Sequence, residues 1–430
     1  DSIIYKLISD IQDWSSGNLD WEQARSKIEE NYGYDKYQGF CHIIPNHALI
    51  ILALLFGDDD FQKTLMIVNT AGWDTDCNSG NVGCYMGIKN GIEGIQRGPD
   101  FITPVNDTLY ITSARGSDTI TDALRESQNI INIRRKLDGL ESKIIKNDAR
   151  YNFEMETSTQ GWVVDKSNDN NKNTFLNNIE FESDLGSRAL EINYKNLTKG
   201  INSEIYVNTF FPEEYTTLNE QQEMMLMVYS FVGCPIIYSG QNIETEIISK
   251  SENNIKVNLF IKYYGEGDKL YKINSEEYVF SYDESKTIEW KVPHTFSNPI
   301  SQIGCSISSD EKVSGKVLMN YLDIVGIPKM SFKRPEHIKE NQSHAISHDI
   351  KSLTNGIYIP DEDKYYGQLW KLAWVNDVDK WHSNRGNSFG LIKNASRGHI
   401  FTGSSEWKNY SVKSTIMFRL ASSGGLIIRS

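Results

Sequence analysis

The stretch Ala71-Gly72-Trp73-Asp74-Thr75-Asp76-Cys77-Asn78 decides how the first part of this chain is read. Two carboxylates, Asp74 and Asp76, flank a hydroxyl, and a thiol follows. The residues after them carry a helical pattern in which Gly80, Gly83, Gly87 and Gly91 recur at spacings of three and four. Those spacings put the glycines on one face, where another backbone can approach closely. Each glycine costs about 1 kcal/mol in a helix interior, so the four together predict a tightly packed helix. Carboxylates with an intervening hydroxyl are hard oxygen donors of the kind Mg2+ or Ca2+ prefers. At a helix start the same carboxylates also suit its free amides and its dipole. Metal ligand and helix cap are therefore both open on the triplet alone.

The flanks extend the pattern. Ile43-Ile44-Pro45-Asn46-His47 leads into the apolar run Ala48 to Phe56, and Thr103-Pro104-Val105-Asn106-Asp107 follows the glycine helix. Gly72-Trp73-Asp74-Thr75-Asp76, with its small-residue helix and these flanks, resembles the C-terminal half of the ADP-ribosylglycohydrolase family over residues 1–137. The resemblance implies an incomplete all-α domain and Mg2+-dependent hydrolysis of a glycosidic bond to ADP-ribose or a related ribosyl compound. It implies one or two Mg2+ ions, with Mn2+ as a substitute, held by Asp74 and Asp76. Two departures stand out. The family places Thr or Ser after the second Asp, whereas Cys77 stands here, and a thiol is a poor ligand for a hard cation. The family's earlier acidic motif, of the Thr-Asp-Asp-Thr kind, has no counterpart before Asp74. The catalytic acid/base is accordingly unassigned and expected in an N-terminal part that precedes Asp1. Gly57-Asp58-Asp59-Asp60 reads as a solvated turn with a cap at Asp60.

His42, Asn46 and Asp107 are candidates for holding substrate. His42 and Asn46 precede the apolar run, and Asp107 is a further carboxylate in a loop. Tyr32, Tyr34, Tyr37 and Phe40 form an aromatic cluster that either packs on the helices or stacks on an adenine or ribose. Thr119 with Asp122 resembles a capping box that opens a helix ending near Leu137.

Near residue 138 the texture changes. A charged connector, 138–150, gives way to short alternating runs separated by Asn-, Ser- and Gly-rich turns, as an all-β sandwich requires. Ala189 to Tyr194, Glu223 to Tyr229, Ile255 to Ile261 and Gly315 to Ile324 are the expected strands. Ile255, Val257, Leu259 and Ile261 share one face. Tyr151 to Glu154, Gly161-Trp162 and the closing Tyr321-x-Asp323 look like jelly-roll carbohydrate-binding modules of the galactose-binding type, over 151–327. Trp162, Tyr263 and Tyr264 are the candidate sugar platforms, with core packing as their other reading. A polar linker, 328–364, follows. Residues 365–430 hold Trp370, Trp374, Trp381 and Trp407, four of the nine tryptophans. Trp407-Lys408-Asn409-Tyr410-Ser411-Val412 resembles the entry strand of concanavalin- and laminin-G-like sandwiches, so the start of a second β-sandwich is expected, with a structural tryptophan.

Composition bounds the rest. At 430 residues the chain holds more than one domain. A net charge of −13 excludes a general nucleic-acid binder. No apolar run reaches the length of a membrane span. The five cysteines form neither a disulfide framework nor a zinc pattern. The first residue is not Met, and Gly424 to Ser430 reads like the middle of a strand, so a fragment truncated at both ends is expected. The carbohydrate-binding-like modules favour secretion or the cell surface, and their expected partners are glycans, beside a small-molecule or ADP-ribosylated substrate. The alternative is a non-catalytic extracellular carbohydrate-binding protein whose helical part is a relic with a capping aspartate.

Overall fold

A computed structural model describes residues 2–39, 41–111, 118–167, 171, 173–214, 233–336, 369–385 and 388–428. Packing divides the chain into two compact units, Asp1–Pro104 and Val105–Ser430.

The first unit is helical: α1 (Ile3–Ser16), α2 (Trp21–Tyr32), α3 (Ile43–Phe56), α4 (Phe61–Thr70) and α5 (Thr75–Gln96). Local chemistry starts each of the first four. Ser2 caps α1, Asp20 and Gln23 form a capping box on α2, His42 caps α3, and Asp60 caps α4. Asp58 and Asp59 lie on the surface beside Lys63 and Lys89, as a solvated turn should. The core forms where the apolar faces meet: Leu7 and Ile11 of α1, Ala24 and Ile28 of α2, Leu49, Leu52 and Ala53 of α3, and Ile67 and Val68 of α4 are buried together. Burying one such side chain contributes about 1.5–3 kcal/mol.

Helix α5 departs from expectation. It buries Asn78, Val82 and Met86, a stripe at spacing four, and Val82 and Met86 join the core. Gly80, Gly83, Gly87 and Gly91 lie off that stripe, and Gly94 is the one buried glycine of the helix. A methyl group on Gly80 or Gly91 would meet nothing within 4 Å, and on Gly83 or Gly87 only ordinary contacts with Leu65 or Ile95. Gly91, at φ 67°, also interrupts the helix. Among the described residues no backbone closes on the glycine face.

The second unit begins with a hairpin, β1 (Thr108–Tyr110) and β2 (Ile120–Asp122), followed by α6 (Ala123–Leu137). The cap of α6 is Asp122, which accepts from Arg125 N at 2.8 Å, whereas Thr119 precedes the strand. The unit's main body is two antiparallel sheets. One orders β10 (Tyr278–Phe280), β8 (Ile255–Tyr264), β12 (Ile300–Ser308), β6 (Ser203–Asn208) and β3 (Val163–Val164), with β9 (Leu270–Asn274) also paired to β8. The other orders β11 (Ser285–Lys291), β7 (Asn242–Ser249), β13 (Val313–Val325), β5 (Arg188–Leu197) and β4 (Thr174–Glu180). Ile255, Val257, Leu259 and Ile261 are all buried in the core between the sheets, with Ile192, Ile247 and Val317 of the other sheet. This is the β-sandwich its alternation predicts. The expected strand at 223–229 and most of the 328–364 segment lie outside the described residues.

The boundary of compact packing is at 104/105 and not near 138. Residues 138–150 are only partly a free connector, because two of their cations are drawn into the sandwich. The Lys146 ammonium is buried, donates to Asn320 O at 2.7 Å and to Arg188 O, and lies 3.2 Å from Glu154. Arg150 is buried and donates to Ile120 O at 3.0 Å.

The C-terminal segment also differs from expectation. A short helix, α7 (Leu369–Leu372), places Leu369 in the sandwich core. Two small sheets follow, β14 (Val375–Asn376) with β17 (Ile400–Phe401), and β15 (Lys380–Arg385) with β16 (Ser388–Ile392). Residues 402–428 form no strand, and Val412 and Ile416 are exposed, with no partner edge over them among the described residues. The tryptophans are structural: Trp370, Trp374 and Trp381 pack around Phe389, and Trp407 packs edge-on against Tyr238 at 5.0 Å.

Candidate functional site

The site in the helical unit is built on a strained turn. Gly72, Trp73 and Asp74 are all left-handed, at φ 81°, 51° and 44°. Glycine adopts this region freely, but for the other two it costs on the order of 1 kcal/mol or more each. Specific contacts hold them there. The Arg25 guanidinium lies 3.9 Å from the centre of the Trp73 ring, and Tyr34 meets the same ring edge-on at 5.2 Å. Arg25 Nε donates to Ala71 O at 2.7 Å. Asn78 donates from its side chain to Trp73 O and from its backbone to Asp74 O, both at 3.0 Å.

The turn delivers Asp74 to the N-cap position of α5, yet its carboxylate makes no cap bond. Instead Asn46 Nδ2 donates to Asp74 Oδ2 at 2.7 Å, and Cys41 Sγ donates to Oδ1 at 3.5 Å. Tyr34 OH donates to Asn46 Oδ1 at 2.8 Å, which fixes the orientation of the amide. One donor atom each from Asp74, Asp76 and Cys77 lies within 4.8 Å of the others. Asp76 and Cys77 are exposed, and Asp74 is half-buried.

Charge at the site follows from this geometry. A hydrogen bond to Asp74, then the Asp74 charge itself, pushes the Cys77 thiol above its ordinary pKa. Burial, then the bond to Asp74, does the same for Cys41. Both shifts favour the thiol over the thiolate, and Cys41 is the one that donates to Asp74. Burial, followed by Cys41, raises Tyr34. The arrangement offers two hard oxygen donors on an open face, with a protonated soft donor beside them.

The other expected residues divide. Asn46 is buried and positions Asp74, and both ends of its amide are occupied. His42 uses Nδ1 to cap α3 at Ile44 N, 3.1 Å away, so that nitrogen is not available to a substrate. Asp107 lies in the second unit, where burial raises its pKa against a hydrogen bond from Ser158. Tyr32 stacks with Tyr37 at 6.5 Å, and Phe40 lies outside the described residues. Arg25 and Cys41 are members of the site that the sequence did not single out. The one local signal is Gly72, whose position before a large aromatic marks a turn.

In the sandwich, Trp162 and Tyr264 are core residues, each 1% exposed. Trp162 packs edge-on against Tyr151 at 5.8 Å, and Tyr264 OH donates to Phe211 O at 2.8 Å. Neither presents a face to a sugar. Tyr263 is half-buried and stacks on Tyr271, with centroids 5.8 Å apart and ring planes 24° from parallel.

Residues 3–129 match the sequence model of the ADP-ribosylglycohydrolase family. The ADP-ribosylglycohydrolase match takes in the whole helical unit from α1 onward, with Asp74 and Asp76 inside it, and runs on into α6. No curated protein matches the chain. Among solved structures, a carbohydrate-binding module of the β-sandwich superfamily is similar, at 12% identity and a TM-score of 0.31, over 44% of this chain and 65% of that one. The chain thus spans less than two thirds of that structure's length. The xylan-binding CBM22-1 domain of Paenibacillus barcinonensis Xyn10C is similar at 8% identity and a TM-score of 0.29, over 42% of this chain and 94% of its own. A CBM28 module specific for non-crystalline cellulose is similar at 13% identity and a TM-score of 0.29, over 41% and 92%. Among the described residues no helix is long and apolar enough to cross a membrane.

Proposed function

We propose that the helical unit is part of a divalent-metal-dependent hydrolase acting on a glycosidic bond to ADP-ribose or a related ribosyl compound, and that the sandwich unit binds glycan. The observation that carries the first half is the conformation of Asp74. A capping aspartate needs extended backbone and a bond to the helix amides. Asp74 has neither, and strain is accepted to hold its carboxylate beside Asp76.

Asp74 and Asp76 suit Mg2+ or Mn2+, as one ion or two, and would hold it through carboxylate oxygens. When bound, such an ion acts as a Lewis acid that orients hydroxyls and stabilises charge developing on oxygen. Asn46 fixes one Asp74 oxygen and so sets the direction of the other. Tyr34 in turn keeps Asn46 from rotating. Cys77 does not suit a hard cation, and its sulfur stands within 4.8 Å of a donor oxygen of each carboxylate. No residue of this chain is proposed as the acid/base. The glycan-binding half rests on the sandwich fold and would tether the hydrolase near its substrate.

Calorimetric titration of the chain with Mg2+ and with Mn2+ tests the reading, beside Asp74→Ala and Asp76→Ala. Metal binding that each substitution abolishes is the expected result. Absence of binding in the unsubstituted chain overturns it. The second reading, a non-catalytic carbohydrate-binding protein, is favoured by the two thiols that crowd Asp74. Glycan binding without metal binding selects it.

A further inference from the structure

The rim of the sandwich carries a cavity of about 290 Å³ lined by Tyr263, Tyr271, Phe296, Asn298, Glu266 and Glu336. The geometry points to this cavity as the glycan-binding site: a cleft in which Tyr263, Tyr271 and Phe296 receive the face of a neutral pyranose and Glu266 and Glu336 accept its hydroxyls. The inference rests on the reading of the sandwich as a glycan binder and supplies the site that reading lacks.

Two aromatic surfaces are built and held in place. On the strand side, Tyr263 of β8 and Tyr271 of β9 are direct cross-strand partners with near-parallel rings. The Tyr271 ring lies on the backbone of Gly265, where a Cβ would stand 2.5 Å from its carbons. Only glycine allows the ring to settle there, so the face is set before any ligand arrives. On the loop side, Phe296 is 52% exposed although it is a large aromatic. Phe296 and Ser297 are both left-handed, at φ 54° and 68°, and Ser297 Oγ is tied to Ser331 O at 3.0 Å. The ring meets His294 edge-on at 5.0 Å and leaves its other side open to water.

The polar lining selects the ligand. Glu266 and Glu336 carry the only formal charges among the lining residues, and with Glu336 paired to Lys333 the remaining Glu266 charge disfavours a phosphate or diphosphate. A neutral sugar has what remains: an apolar C–H face for the rings and hydroxyls that donate to carboxylates. A cation is the weaker match. Tyr263 and Tyr271 are stacked on one another and do not surround a point as a cage would, and Glu336 already pairs with Lys333 at 2.9 Å.

The test uses the whole chain and calorimetric titration with xylohexaose, cellohexaose, galacto-oligosaccharides and, as the cationic control, choline. Tyr271→Ala and Phe296→Ala are each expected to weaken sugar binding by about tenfold or more, a loss of about 1.4 kcal/mol per tenfold. Tyr271→Phe is expected to retain affinity, which separates stacking from folding. Gly265→Ala is expected to weaken binding although it removes no contacting group. Sugar binding that survives both alanine substitutions overturns this site and leaves the glycan reading standing. Absence of binding to every sugar overturns both, as does binding of choline alone.

Discussion

The account of the Asp74 turn makes a prediction about coupling that needs no ligand. Asn46→Ala removes a bond to an ionised carboxylate and one to Tyr34 OH. Asp74→Ala removes the same carboxylate bond and leaves the buried Asn46 amide without that acceptor. A hydrogen bond to a charged group contributes about 1.5–3 kcal/mol, and a buried group left unpaired costs about 1–3 kcal/mol. Each single substitution should therefore destabilise the helical unit by at least the charged bond's share, about 1.5–3 kcal/mol. The double substitution should cost less than the sum by about 1.5–3 kcal/mol, because the shared bond is lost once. Urea unfolding followed through helical ellipticity measures the four stabilities. The two units need not unfold together, so the helical transition is the one to fit. A coupling below about 0.5 kcal/mol would refute the reasoning: Asn46 would then not be what holds the carboxylate, and the left-handed turn would have another cause.

Three further outcomes follow from the sandwich unit. Lys146→Met should destabilise it by about 3–5 kcal/mol in chemical denaturation, since the buried ammonium serves Glu154 and two carbonyls. Gly304→Ala should cost at least about 1–3 kcal/mol, read as a lowered urea midpoint, because the added methyl would stand 2.0 Å from the Phe260 ring. Asp107→Asn should raise the melting temperature at pH 7 and leave it unchanged near pH 3. Burial raises the Asp107 pKa in the folded chain, so the native state holds its proton more tightly. Stability therefore falls as pH rises from the ordinary carboxylate value through the folded one, and the amide removes that loss. Asn also tolerates the left-handed backbone, φ 56° at this position. A melting temperature at pH 7 that falls in Asp107→Asn would contradict the burial argument.

Much of the fold was legible because it rests on periodicity. Ile255, Val257, Leu259 and Ile261 alternate in the sequence and lie on one buried face in the structure. The caps at Asp20 and Asp60 are likewise local chemistry, readable from a few residues. What could not be read depends on contacts distant in sequence. The glycines of α5 have the spacing of a close-packed face, but spacing says nothing about whether a second surface is present, and Gly80 and Gly91 face open space. Its charge makes 138–150 read as a connector, whereas Lys146 finds its oxygens at Arg188 and Asn320. Trp162 and Tyr263 were equivalent as candidate sugar platforms. Burial separated them, placing one in the core and the other beside an open cavity.

The site shows the same limit and how geometry goes past it. An Asp-Thr-Asp at a helix start is compatible with capping and with metal binding, because both use carboxylates on the first turn. The two readings differ in backbone conformation, which the triplet does not encode. Its determinants are elsewhere: Arg25 on α2 over the Trp73 ring, Tyr34 beside it, and Asn46 on α3 against the carboxylate. Asp60 shows what capping looks like in the same unit, extended at φ −95° with its carboxylate on Lys63 N. Asp74, at φ 44° and without such a bond, is a different object. Replacing Asp74 by Ser, a strong cap residue, should separate the two roles. If the position is a cap, Ser should hold stability within about 0.5 kcal/mol. If Asp74 is a carboxylate held for a ligand, Ser should lose the charged bond to Asn46 and destabilise the helical unit by about 1.5–3 kcal/mol.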